Sequence, residues 1–232
     1  MTTNNIALVI PALNEEEALR HLLPEIPSEQ VRWVIVADNG STDATARVAR
    51  EAGALVVSEP TPGYGRACWR GFTTATQLGA DIVVFMDGDG SDDPADLPLL
   101  LAPLLAGEAN LVIGSRVSQR SDPGAIPPQA RLGNWLVSRL INILYGTQIH
   151  DIGSFRALKS GMLQALNMRE MTFGWPVEML VKAASVYQRI LEVPIHYRCR
   201  SHGRSKVAGT ILGSLKAAYF MLSVTWRYAR KF

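Results

Sequence analysis

The first half of the chain alternates short apolar runs with helix-patterned segments, and this alternation constrains the fold more than any other feature. Ile6–Ile10, Val31–Ala37, Ala54–Ser58, Asp81–Met86 and Leu111–Ile113 are strand-length runs rich in β-branched residues. Between them, Glu15–Leu23, a stretch running from Ser41-Thr-Asp43 caps to about Ala52, a stretch from about Gly65 to Leu78, and a segment opened by Pro94 read as helices. Strands joined through helices lie parallel in one sheet, with helices on both faces. The expected fold class is therefore α/β, a Rossmann-like, mostly parallel central sheet flanked by helices.

The second half is less regular. Arg131–Leu144 and Gly174–Tyr187 read as helices, and Ile152–Arg156 and Arg189–Tyr197 as strands. Ser118–Pro128 is polar and rich in Pro and Gly, so it reads as a mobile loop. Val207–Arg230 reads as a long amphipathic helix with Ile211, Leu215, Ala218, Leu222 and Trp226 on one face. No linker invites a cut, so 1–232 is expected to be one domain whose residues 207–232 form a C-terminal, basic, amphipathic helix.

Charge is unevenly placed. The chain is +2 overall, yet from Val193 onward it carries eight Lys/Arg (Arg198, Arg200, Arg204, Lys206, Lys216, Arg227, Arg230, Lys231) and no Asp or Glu. A basic tail on an acidic body suits an anionic partner such as a lipid headgroup, a lipid phosphate or nucleic acid; the plainer reading is a solvated helix face. The Met-Thr-Thr-Asn-Asn start lacks the pattern of a signal peptide. Ile211–Trp226 is interrupted by Lys216 and falls short of the roughly 20 apolar residues that span a bilayer. Cys68 and Cys199 form no C-x-x-C pair. The expectation is a cytoplasmic protein, peripheral at the cytosolic face of a membrane.

Ligands of a parallel sheet bind outside the carboxyl ends of its strands. Three such ends are polar here: Pro11-Ala-Leu-Asn14-Glu15-Glu16, Asp38-Asn-Gly-Ser41, and Asp87-Gly-Asp89-Gly-Ser91-Asp92-Asp93. Two carboxylates spaced i, i+2 at a strand end, among glycines that permit tight bends, suit a hard divalent cation. Mg²⁺ or Mn²⁺ takes one or two carboxylates and fills its shell with water and substrate phosphates, stabilising a departing diphosphate as a Lewis acid. The plain alternative is an acidic turn in which Asp92 or Asp93 caps the helix opened by Pro94. No G-x-x-x-x-G-K-[ST] loop and no G-x-G-x-x-G after the first strand are present, which argues against ATPase and dinucleotide chemistry.

The segments Val9-Ile-Pro11-Ala-Leu-Asn14-Glu15, Ala37-Asp38-Asn-Gly-Ser41-Thr-Asp43 and Met86-Asp87-Gly-Asp89-Gly resemble glycosyltransferase family 2, of GT-A fold. Gly114-Ser115-Arg116, Asp151-Ile-Gly-Ser154-Phe155-Arg156, Gly174-Trp-Pro-Val-Glu178-Met179, Glu192-Val-Pro194-Ile195 and Gly203-Arg-Ser205-Lys206-Val207 resemble, within it, the dolichol-phosphate mannosyltransferase group and its polyprenyl-phosphate relatives. The resemblance implies inverting transfer of a sugar from a nucleotide-diphosphate donor, GDP-mannose or UDP-glucose, to a dolichyl or undecaprenyl phosphate, with Mg or Mn as cofactor and a membrane protein as a possible partner. It implies that Pro11, Asn14, Glu15 and Asp38 hold the nucleoside. Asp87, Asp89 and Ser91 would hold the metal and diphosphate, and Arg116, Arg131, Ser154, Arg204 and Lys206 would surround the acceptor phosphate. Asp89, Arg116 and Arg131 are the expected catalytic set, and Glu178 and Met179 match a motif helix whose glutamate faces the site. The chain departs from the group's pattern at Ser91, where relatives often carry Gln, and at Asn39, where they often carry a second acid.

Two rival functions follow from the same residues. Transfer to the hydroxyl of a soluble or cell-wall glycan would require a carboxylate base, for which Asp151 or Glu178 is available. A nucleic-acid-binding module would use the basic tail, but no helix-turn-helix, zinc finger or ribonucleoprotein motif supports it. His21, His150, His196 and His202 lack metal spacing, Cys68 reads as core, Trp175 and Trp226 as core or membrane-interface anchors, and Arg198 and Arg200 as the wet face of a strand.

Overall fold

In a computed structural model, residues 5–186, 188–200, 219 and 222–228 are described. Seven strands form one sheet in the order β3-β2-β1-β4-β6-β5-β7. The strands are β1 (Ile6–Ala12), β2 (Trp33–Asp38), β3 (Leu55–Ser58), β4 (Ile82–Phe85), β5 (Leu111–Ser115), β6 (Arg156–Lys159) and β7 (Ile190–Pro194). Only β6 runs against its neighbours β4 and β5; the other pairings are parallel.

β1 is an interior strand between β2 and β4, and all seven of its residues are buried. Its side chains alternate between two cores. Ala7 and Val9 pack with Cys68, Phe72 and Ala75 of α3 (Tyr64–Gln77), while Leu8 and Ile10 pack with Leu19 and Leu22 of α1 (Glu16–Glu25) and Leu97 and Leu100 of α4 (Leu97–Leu105). Each fully buried Val, Leu, Ile or Phe among them contributes about 1.5–3 kcal/mol. This two-sided burial explains why β1 reads as a continuous apolar run rather than an alternating one.

The remaining helices are α2 (Thr45–Glu51), α5 (Pro128–Tyr145), α6 (Ser160–Leu166) and α7 (Trp175–Ser185). The N-cap of α2 is Ala44, without a side-chain cap; Asp43, just before it, takes the Thr45 N–H at 2.9 Å, and Ser41 instead accepts from the Asn14 N–H. Pro94 opens a 3-10 turn (Pro94–Asp96) ahead of α4, with Asp93 accepting from the Ala95 N–H at 3.0 Å. That part of the plain reading of the acidic turn holds for Asp93.

Two strands shift and one helix is added. The strand expected over Ile152–Arg156 begins only at Arg156, because the preceding N–H groups are taken by side chains: Asp151 N–H by Glu192 at 2.7 Å and Ile152 N–H by Asn134 at 2.9 Å. β7 ends at Pro194 rather than Tyr197, since the His196 N–H leaves the sheet for Asp96 at 2.5 Å. α6, a helix absent from the sequence reading, follows β6 directly. The Ser118–Pro128 loop is anchored rather than loose: Asp122 N–H reaches Tyr197 O at 2.8 Å, and Ser118 Oγ reaches Ile195 O at 3.1 Å.

Of the expected helix Val207–Arg230, residues 219 and 222–228 are described and helical; 207–218 lie outside the described residues. The face it buries is not the one the spacing picks out. Val224, Thr225 and Tyr228 are buried, while Tyr219, Leu222 and Trp226 are exposed. Tyr228 turns inward because its hydroxyl donates to Glu178 at 2.5 Å. No helix among the described residues is long and apolar enough to cross a membrane.

Candidate active site

The strand order reverses between β1 and β4, and the crevice outside their carboxyl ends is where a sheet of this type takes a ligand. The starts or ends of six strands deliver polar residues to this one edge: β1, β2, β4, β5 and β7 by their carboxyl ends, and antiparallel β6 by its amino end.

The β1 and β2 ends are stitched together. Asn14 lies at φ 50°, a left-handed conformation that Asn tolerates. Its side-chain oxygen accepts from the Thr42 N–H at 2.8 Å, and its own N–H donates to Ser41 Oγ at 2.9 Å. Glu15 N–H donates to Thr45 Oγ1 at 2.9 Å, and the Asp38 carboxylate accepts from the Ser41 N–H at 3.2 Å. Pro11 is buried opposite Ala37. The expected nucleoside residues Pro11, Asn14, Glu15 and Asp38 therefore share one stretch of the edge. Asn39 fastens the next loop: its amide donates to the carbonyls of Glu59 and Thr61, each at 2.8 Å, and accepts from the Gly63 N–H at 2.8 Å. A carboxylate could not make the two donations, which gives the departure at this position a physical reason.

Past β4, the chain makes a tight acidic turn. Gly90, at φ 76°, lets Asp89 Oδ1 accept the Ser91 N–H at 2.9 Å. Tyr64 OH donates to Asp87 Oδ1 at 3.0 Å, and the Ser154 hydroxyl also bonds Asp87. Burial, then the negative charge of Asp89, push the Asp87 carboxyl above its ordinary pKa. Burial, then Asp87 and Asp89, push Asp92 well above its own. Asp92 is 0% exposed, and its Oδ1 has no partner among the described residues.

Opposite lies a basic half. Arg116, just past β5, forks onto Asp151 through Nε at 2.9 Å and Nη2 at 2.8 Å, and its backbone N–H reaches the same carboxylate at 2.6 Å. Burial alone would raise Asp151, but the Arg116 charge and hydrogen bonds hold it below the usual carboxylate range. The close packing that brings these loops together needs Gly153, where a Cβ would lie 2.5 Å from Gly114 O. The guanidinium of Arg116 also stacks on Tyr197, 5.3 Å from the ring centre, and its charge acts on Asp87 and Asp92. Arg198 pairs with Glu25 at 2.6 Å and Asp93 at 2.7 Å, and Arg200 pairs with Asp89. These arginines are not the wet face of a strand: they leave β7 and close over the acidic turn.

Other expected residues fall elsewhere. Arg131 is exposed in the first turn of α5, and its guanidinium pairs with no described residue. Arg204, Lys206 and His202 lie outside the described residues. Glu178 does not face the site: it is fully buried and accepts from Arg169 N–H at 2.9 Å, Glu170 N–H at 2.7 Å, Lys182 at 2.7 Å and Tyr228 OH at 2.5 Å. Met179 is buried against the Arg156 guanidinium. Cys68 is core, as expected, Trp175 is core rather than a membrane anchor, and His196 sits between Asp93 at 3.0 Å and Asp122 at 3.2 Å. Tyr64 is an addition to the site; only the three-dimensional approach of α3 to β4 brings it there.

The donor set fits Mg²⁺ or Mn²⁺. Among the described residues no group of three or more His, Cys, Asp or Glu encloses a metal ion. A hard divalent cation needs only one or two protein carboxylates and completes its shell with water and phosphate. The buried acidic turn, where Asp92 Oδ1 has no partner among the described residues and a guanidinium is already drawn onto Asp89, marks a place that attracts positive charge.

Residues 7–166 match the family described as glycosyl transferase family 2. An uncharacterized glycosyltransferase of Mycobacterium tuberculosis is 40% identical over 94% of this chain and 96% of its own length. The undecaprenyl-phosphate mannosyltransferase of Micrococcus luteus is 32% identical, covering 90% of this chain and 89% of its own. Among solved structures, glucosyl-3-phosphoglycerate synthase from Mycobacterium tuberculosis in complex with Mn²⁺ and UDP-glucose superposes with a TM-score of 0.74 at 28% identity, covering 97% of this chain and 80% of that one. Fold, strand-end chemistry and sequence agree, and the chain belongs to glycosyltransferase family 2.

Proposed function

We propose that this protein moves a sugar, with inversion, from GDP-mannose or UDP-glucose to a polyprenyl phosphate. The observation that carries the reading is the facing of two halves at one sheet edge: Asp87 and Asp89 on one side, Arg116 and Ser154 on the other. The polyprenyl-phosphate acceptor is supported by the likeness to the undecaprenyl-phosphate mannosyltransferase and, at 31% identity, to a dodecaprenyl-phosphate galacturonate synthase of Rhizobium johnstonii.

Pro11, Asn14, Glu15 and Asp38 would seat the nucleoside, and Asp87, Asp89 and Ser91 would hold the cation. When bound, the cation stabilises negative charge growing on the departing diphosphate. Tyr64 and Ser154 fix the Asp87 carboxylate by hydrogen bonds. Arg116, pre-oriented by its fork on Asp151, would attract the acceptor phosphate with little reorganisation. Arg131, Arg204 and Lys206 would complete that cradle. A phosphate monoester is already anionic near neutral pH, so its oxygen attacks without a strong base. That matters because Asp151 and Glu178, the candidate bases for a hydroxyl acceptor, are both fully engaged by donors and held below the usual carboxylate range.

The lipid substrate implies a membrane surface. Tyr219, Leu222 and Trp226 are exposed beside Arg227, and Leu132, Trp135 and Ile143 are exposed on α5. Aromatic and basic residues together suit a peripheral, cytosolic-face contact, each cation contributing about 1 kcal/mol at an anionic surface. The test is a transfer assay with Mn²⁺, offering GDP-mannose and UDP-glucose in turn against undecaprenyl or dolichyl phosphate and against soluble phosphorylated acceptors. A glycolipid product is expected. Transfer only to a soluble acceptor would overturn the acceptor assignment and favour a likeness in substrate to the phosphoglycerate enzymes.

A further inference from the structure

After β7 the chain crosses the acidic turn as a strap. Tyr197 bridges Asp92, Arg198 N–H donates to Ser91 O at 2.7 Å, and Cys199 N–H donates to Asp122 at 2.8 Å. This lacing delivers the Arg200 guanidinium onto Asp89 Oδ2, while Asp89 Oδ1 holds the Ser91 N–H at 2.9 Å. Both oxygens of the second aspartate are thus engaged, one of them by a full positive charge.

The neighbouring arginines are committed differently. Arg116 is forked by Asp151, Arg198 is held by both Glu25 and Asp93, and Arg156 is buried against the carbonyls of Gly153 and Pro176. Arg200 has a single carboxylate partner among the described residues, and its side chain is one quarter exposed. Its guanidinium can swing into solvent, but Asp89 is buried, so the exchange requires another cation to take its place.

We propose that Arg200 is the resting occupant of the cation position, and that guanidinium and divalent cation exchange on Asp89. The inference rests on reading Asp87 and Asp89 as the cation site. A cation arriving alone must displace Arg200 and then leaves it beside a like charge. A cation arriving with a nucleoside diphosphate also supplies phosphate oxygens, which a guanidinium binds in bidentate fashion. Arg200 therefore opposes the bare cation and favours the cation–diphosphate pair, making the two ligands bind cooperatively; by linkage each raises the affinity of the other equally.

The test is Mn²⁺ binding followed by the electron paramagnetic resonance signal of free Mn²⁺, with wild type, Arg200→Ala, Arg200→Gln and Asp89→Asn, first alone and then with UDP or GDP. Without nucleotide, both Arg200 variants are expected to bind Mn²⁺ about tenfold more tightly than wild type, since a charge-assisted hydrogen bond no longer competes. The enhancement that UDP or GDP gives to Mn²⁺ binding should be smaller in both variants than in wild type. Equal or weaker Mn²⁺ binding by both, with Asp89→Asn abolishing it, would overturn the exchange while leaving the cation site intact. Absence of Mn²⁺ binding in every protein, with or without nucleotide, would overturn the cation site and the exchange together.

Discussion

Two sets of buried carboxylates lie in this molecule, and they are solvated by the protein in opposite ways. Asp151 and Glu178 are each surrounded by donors: Asp151 by the Arg116 fork and the N–H groups of Arg116 and Ile152, Glu178 by two backbone N–H groups, Lys182 and Tyr228. Burial works against both, yet hydrogen bonds and charge hold both below the usual carboxylate range. Asp87 and Asp92 are instead pushed up, by burial first and then by the like charge of their neighbours, and one Asp92 oxygen has no partner among the described residues. A donor-saturated carboxylate is a strut; a donor-poor cluster at a strand end is a place for a cation.

The contrast is broken most severely at the cluster. Asp89→Asn should lower transfer by about a thousandfold through loss of charge stabilisation on the leaving diphosphate, with little change in melting temperature. Steady-state rates and a thermal melt on the same preparation check this. Glu178→Ala should do the reverse, leaving Lys182 and several buried donors unpaired and costing about 3–5 kcal/mol of stability. Turnover per folded molecule should stay near wild type, as read by denaturant titration alongside activity.

Asn39→Asp sharpens the comparison by inserting a carboxylate where donors are required. The carbonyls of Glu59 and Thr61 lose their partners and Asp38 gains a neighbouring charge, so a loss of about 2 kcal/mol is expected by denaturant titration. Asp92→Asn is the smallest effect and has the opposite sign. Removing one repelled charge should stabilise the metal-free protein by about 1 kcal/mol at pH 7, a rise of roughly 2–4 °C in Tm.

The pH dependence follows the same division. For Asp151 and Glu178, depressed in the fold, stability is fully present above the ordinary carboxylate range and is lost as pH falls through their lowered values. For Asp87 and Asp92, raised in the fold, the native state binds more protons than the unfolded chain, so stability falls as pH rises from the ordinary carboxylate range through their raised values. Metal-free melts across pH should show both limbs, and Asp92→Asn should flatten the second.

How much of this was legible beforehand depended on whether the physics was local. The β1, β2 and β4 runs and their acidic ends are consecutive residues whose burial and turn chemistry the sequence carries, so the parallel core and the Asp87-Gly-Asp89 turn could be read directly. Glu178 could not: a glutamate in the first turn of α7 looks available until Arg169, Glu170 and Tyr228 are seen to close on it from elsewhere in the chain. Arg200 was equally hidden, because alternation with Arg198 mimics a strand while the His196 N–H has already left the ladder for Asp96. On the C-terminal helix, spacing selected Leu222 and Trp226, but the Tyr228–Glu178 hydrogen bond turns the other face inward.

The central claim is that Asp87 and Asp89 hold the cation that carries the donor diphosphate. Crystals soaked with Mn²⁺ and UDP or GDP, measured at a wavelength where manganese scatters anomalously, test it directly. The account predicts an anomalous peak within about 2–2.5 Å of the Asp89 carboxylate, bridged to both phosphates of the nucleotide. A nucleotide bound with its manganese at another edge of the sheet, leaving Asp89 on Arg200, would contradict it.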